Sequence, residues 1–180
     1  MINLQRITTE YVEVEDRIRL SGEGEQGQTI VLWLTQRLLS QVISHLLGLI
    51  EKQSPTLSKT GDSQAPASNL MQGFAQQAAE AELSSEQPVQ AASSSLSWLI
   101  QEVDIALSPE GSLVLVFKRE LGTVAGQDEE GITTLKVEAK QLRQWLGIVH
   151  AQWQRAGWPL ALWPNWMDEA PTTASSKPLH

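Results

Sequence analysis

No cysteine occurs among the 180 residues, and rings other than indole are scarce: one tyrosine, two phenylalanines and three histidines. Without thiols the chain has no disulfide, no thiolate zinc site and no cysteine nucleophile. Positive charge is also short, with 13 lysines and arginines against 21 acids and a net charge of -8. That balance lacks the field that draws phosphate backbones and anionic lipid surfaces, so neither nucleic acid nor membrane is an expected partner. No apolar run reaches the roughly 20 residues of a membrane span. The nearest, residues 30–50, is broken by Gln36, Arg37, Gln41 and His45. The opening residues, Met1 to Glu10, do not form a basic and apolar leader, and the expected setting is the cytoplasm.

What remains is enough for one sizeable core. Residues 1–167 read as a single α+β domain. Within it, residues 53–95 are dominated by Ser, Ala, Gln and Pro and read as a largely disordered insertion. Residues 168–180 read as a flexible tail. From Tyr11 the chain alternates, with Val12, Val14, Asp16, Ile18 and Leu20 on one side and Glu13, Glu15, Arg17 and Arg19 on the other. Period two predicts an antiparallel strand, and Thr29 to Leu34 is its hairpin partner. Thr35 caps a predicted helix to about Lys52, which the Ser54-Pro55 pair stops. Leu96 to Leu107 and Leu113 to Phe117 predict a second hairpin, followed by a strand over Ile132 to Val137 and a helix over Ala139 to Ala156. The expected architecture is an antiparallel sheet of about five strands with two amphipathic helices on one face. Its two halves are β-β-α-like and are joined by the low-complexity insertion.

Motifs that promise chemistry fail on inspection. Gly22-Glu23-Gly24-Glu25-Gln26-Gly27 has glycines at dinucleotide-binding spacing, but a β-branched strand follows where a helix must begin, and two glutamates repel phosphate. Asp128-Glu129-Glu130 lacks the alternating ligand spacing of a calcium loop. His45 and His150 sit at the edges of the apolar arcs of the two helices, and Asp16 falls on the apolar face of the first strand. These three are the candidate polar anchors. Glu102 and Asp104 within an apolar run read as paired or edge-protecting carboxylates. No catalytic residue, metal site or cofactor is expected.

Five of the seven tryptophans lie between Trp145 and Trp166. Trp145 and Trp153 fall on the apolar helix face and read as core. Trp158, Trp163 and Trp166, with Leu162 and Met167, follow Gly157 in a segment that two prolines keep from being one helix and that is too apolar to hang free. It docks on its own core, on another protein chain, or on a ligand that stacks on the indoles. In the insertion, Leu70, Met71 and Phe74 recur at helical spacing within Asn69 to Leu83 and suggest a short partner-docking helix. The expected function is a non-catalytic protein–protein interaction or assembly module, with a protein partner or a second copy of the chain. The alternative is a small-molecule binding domain or small enzyme with a tryptophan-lined pocket.

Overall fold

Strands form where β-branched and apolar side chains recur at every second position: β1 (Ile2–Val12), β2 (Arg17–Gly24), β3 (Thr29–Leu34), β4 (Leu96–Leu99), β5 (Glu102–Leu107), β6 (Leu113–Lys118) and β7 (Ile132–Val137). Four α-helices accompany them among the described residues: α1 (Gln36–Gln53), α2 (Gln64–Ala81), α3 (Ala139–Arg155) and the short α4 (Asn165–Asp168). This computed structural model describes residues 1–53, 64–84, 86–108, 110–119 and 131–168. The strands make one sheet in the order β4-β3-β2-β1-β7-β6-β5.

The sheet corrects the expected architecture. It is mixed and seven-stranded and curls into a half-barrel, in place of five antiparallel strands beneath two helices; the α+β class itself holds. Two features of the chain account for the difference. The alternating run from Val12 to Leu20 is interrupted, because Glu13–Glu15 form a single 3-10 turn that Asp16 ends in a left-handed conformation, φ 46° and ψ 46°. Everything before that turn, from Ile2 on, is a strand of its own. The run Leu96 to Leu107 is likewise two strands.

Both long segments serve two neighbours. Ile2 to Leu4 run parallel to β7, and beyond Leu4 the rest of β1 pairs antiparallel with β2, with a register break between Leu4 and Arg6. β4 runs parallel to β3, whereas β5 pairs antiparallel with β6. Between them the Ile100 amide donates to Trp33 O at 3.0 Å and the next amide, Gln101, donates to Lys118 O at 3.0 Å. Successive strand amides point to opposite sides, so the chain itself joins the two ends of the sheet. The plan repeats: β1-β2-β3 lead into α1, and β5-β6-β7 lead into α3. Thr35 Oγ1 accepts the Leu38 amide at the start of α1, and a Glu138–Gln141 capping box opens α3.

Inward-facing Ile18, Leu20, Ile30, Leu32, Leu115 and Phe117 join apolar residues of α1 and α3 in one contiguous core. Where β7 parts from β1, α3 takes its place. Trp145 Nε1 donates to Thr9 Oγ1 at 3.1 Å, and Gln152 Oε1 accepts the Tyr11 amide at 2.9 Å. No helix among the described residues is long and apolar enough to cross a membrane.

Candidate interaction surface

Gly157, at φ +67°, ends α3 and turns the chain back. The Trp158 amide reaches Trp153 O at 3.3 Å, a 3-10 turn spans Leu160–Leu162, and α4 follows Pro164. The indoles then pack edge-on, Trp153 against Trp158 at 4.9 Å and against Trp163 at 5.8 Å between centroids. Trp158 Nε1 donates to Asp16 Oδ1 at 3.1 Å, Trp153 Nε1 donates to Pro159 O at 3.0 Å, and Trp163 lies on the His150 ring at 4.7 Å. Trp158, Trp163, Trp166 and Met167 are all buried, and Leu162 packs partly against the same core. Of the three surfaces open to this segment, the chain's own core covers the indoles.

The polar anchors have separate roles. Asp16 is exposed, not on a strand face, and accepts from both Tyr11 Oη and Trp158 Nε1, tying the β1–β2 turn to the C-terminal segment. That hydrogen bond raises the Tyr11 pKa. His150 is buried on α3, with Asp168 Oδ1 3.4 Å from Nε2. Burial lowers its pKa, against the opposing pull of Asp168 and Glu80. His45 is exposed on α1. No three metal-ligating side chains converge among the described residues. Gly22 to Gly27 close the β2–β3 hairpin with no helix after them, and Glu102 and Asp104 both pair with Lys118, at 3.3 and 2.5 Å. Asp128 to Glu130 and the predicted tail from residue 169 onward fall outside the described residues.

Asn69 to Ala81 of the suggested docking helix lie in α2, and its polarity is inverted. The side turned to α3 and α4 is polar or small: Gln72, Gly73, Gln76 and Ala79 are buried. Gln76 Nε2 donates to Arg143 O at 2.9 Å, Arg143 Nη2 donates to Gln72 Oε1 at 2.5 Å, and Gln144 Nε2 donates to Ala79 O at 2.9 Å. Lys140 pairs with Glu82 at 2.7 Å. Arg143 also lies over the Trp166 ring at 5.8 Å. The helices approach closely, since a Cβ at Gly147 would stand 2.7 Å from Glu80 Oε1. On the opposite side Leu70, Met71 and Phe74 are 54%, 62% and 58% exposed. Sequence periodicity marked these three but missed Gln72, Gln76 and Arg143, whose signal is the pair of small residues, Gly73 and Gly147, at the contacts.

A concavity lies between α1 and β5. It is an open groove of about 350 Å3, lined by Leu38, Gln41, Val42 and His45 of α1 and by residues 101–105. The internal repeat explains it. Val42 is the seventh residue of α1 and Trp145 the seventh of α3. Ile105 stands opposite Leu115 as Thr9 stands opposite Leu20. Trp145 fills the space beside Thr9, and the smaller Val42 leaves the matching space beside Ile105 open. No known family, curated protein or solved structure matches the chain.

Proposed function

We propose that the protein is a non-catalytic interaction module that presents the outward face of α2, with the tryptophan-rich segment as its support. One observation carries the reading: α2 is seated through its polar side while Leu70, Met71 and Phe74 face solvent. A helix held only for its own domain's stability buries its apolar stripe. Here the apolar stripe is withheld from the domain, and it forms a patch on the order of 300 Å2, a size often functional on monomers. The seat itself is imperfect, since Gln76 Oε1 and Arg143 Nη1 are buried with no hydrogen-bond partner among the described residues. The cytoplasm is the setting proposed with it, a compartment where a chain without cysteine forgoes nothing.

A photoreactive phenylalanine analogue in place of Phe74, in the intact chain inside cells, tests this. A discrete adduct of higher mass is expected, and the same probe at the exposed turn residue Gln26 should give none. Equal labelling at both positions, or none at Phe74, refutes the proposal.

Small-molecule binding is the second reading. The rings of Trp153, Trp158 and Trp163 pack on one another, so its support lies in the α1–β5 concavity, whose volume is within the range of ligand sites. His45 and Gln41 of α1, facing Gln101, Glu102 and Asp104, are the polar groups that would orient a ligand there. Chemical-shift changes confined to the α1–β5 lining on titration with a metabolite panel would favour it. Silence of that lining across the panel would exclude it.

A further inference from the structure

Resting on the reading of α2 as a docking face, we propose that its partner is α2 of a second copy of this chain, in an antiparallel pair about a two-fold axis. Met71, Phe74, Ala78 and Ala81 recur at alternating three- and four-residue spacing, the seam of a helix pair. Their sizes are graded along the helix. Leu70, Met71 and Phe74 occupy the middle, while Ala75, Ala78 and Ala81, all exposed, line the C-terminal half. An antiparallel copy sets Phe74 against the partner's Ala78 and Met71 against the partner's Ala81, so these two bulky side chains each meet a small one, with Leu70 level with the partner's Glu82 at the end of the seam. Parallel pairing would set phenylalanine on phenylalanine and alanine on alanine, a crowded contact beside a void. The face is thus complementary to itself, which is the requirement of an isologous interface.

Charge points the same way. Residues 68–79 carry no ionisable group, so the net charge of -8 on each copy does not enter the contact. Glu80 and Glu82 stand at the C-terminal end, level with the uncharged residues 72 and 70 of an antiparallel partner. A parallel partner would bring the same glutamates together. Two 18-residue helices are each about 27 Å long. In this register they overlap over residues 71–81, about 15 Å, and two such patches bury on the order of 600 Å2, below the range of a stable standard interface, so the pair is weak and reversible.

The absence of cysteine makes disulfide trapping clean. Met71→Cys and Ala81→Cys are made separately in the full chain, oxidised alone and mixed, at several concentrations. The antiparallel pair predicts a covalent dimer in the mixture and little from Met71→Cys alone, because the two 71 positions lie about 15 Å apart along the axis, beyond disulfide reach. Adding Phe74→Glu should lower trapping at least tenfold, with an unchanged circular-dichroism melt showing that the fold persists. Efficient linkage of each single variant to itself, or no concentration-dependent linkage in the mixture, overturns the antiparallel pair. The Phe74 photo-adduct separates this failure from that of the docking reading. An adduct of twice the chain mass supports both, one of any other mass leaves docking and removes self-pairing, and the absence of an adduct removes both.

Discussion

Replacing Trp166 by alanine distinguishes an indole that belongs to the core from one held ready for a partner. Trp166 is 1% exposed, lies beneath Gly73 of α2, and stacks with the Arg143 guanidinium. Its side chain removes about 200 Å2 of surface from water, and at about 25 cal/mol per Å2 the upper bound on its contribution is about 5 kcal/mol. Partial collapse of α4 into the space lowers this, and buried tryptophan truncations cost about 3–5 kcal/mol. A loss of about 4 kcal/mol is therefore expected. With a urea dependence of about 2 kcal/mol per molar, the unfolding midpoint should fall by about 2 M.

The same variant removes the ring over which Arg143 lies, and Arg143 holds α2 through Gln72, so amide exchange over residues 70–81 should quicken. Phe74→Ser is the reference. Its side chain is 58% exposed, so in dilute solution its effect should stay within about 0.5 kcal/mol. If Trp166→Ala costs under about 1 kcal/mol while Phe74→Ser costs more, the assignment of the two surfaces is inverted and the reasoning fails.

A Cβ at Gly22 would stand 2.7 Å from Leu4 Cδ2 inside the sheet, so Gly22→Ala should cost about 1–3 kcal/mol, and much less when Leu4 is shortened to valine; additive costs in the denaturation cycle would show that the two do not meet. Val42→Phe should fill the space that Trp145 fills in the other half and raise the melting temperature, whereas a lowered one would mean that the space is not vacant for a ring. Burial lowers the His150 pKa below its ordinary 6.5, so the unfolded chain binds the proton more readily. Stability from this residue is then complete above about pH 6.5 and declines as pH falls below it. His150→Gln should flatten the melting temperature between pH 7 and 5 relative to the parent, and parallel curves would contradict the assignment.

Local patterning identified the cores of β3, β6, β7, α1 and α3, because each combines a clear period with a cap or a turn residue at its end. It failed where a turn lacks such punctuation. Glu13 to Asp16 contain neither glycine nor proline, and Asp16 adopts the left-handed conformation with its carboxylate bound to Tyr11 and Trp158, partners 5 and 142 residues away. Parallel pairing of β1 with β7 and of β3 with β4 is a tertiary choice that period two cannot reveal, since an edge offers the same alternation to a neighbour of either direction. Leu70, Met71 and Phe74 were legible as one face of a helix. That this face points outward was not, because the polar seat of Gln72 and Gln76 depends on Arg143 and Gln144 of α3.

The internal repeat shows why docking and concavity are distinct features. Both halves end in a helix lodged beside a strand, and the additions to the repeat, α2 and α4, pack against α3 of the second half. α2 hydrogen-bonds to Arg143 and Gln144 on α3, and α4 faces it through Trp166. The outer side of α1, with Arg37, Gln41, Ser44 and His45, stays exposed, and the α1–β5 space opens beside it. A partner on α2 therefore loads α3 and the tryptophan cluster, whereas a ligand beside Val42 loads α1 and β5. Coupling between the two sites requires a second arrangement of the shared core. That core is one contiguous cluster of fully buried side chains. Occupancy at Phe74 should leave the α1–β5 lining unperturbed, and the two readings of function can be tested in one sample without either masking the other.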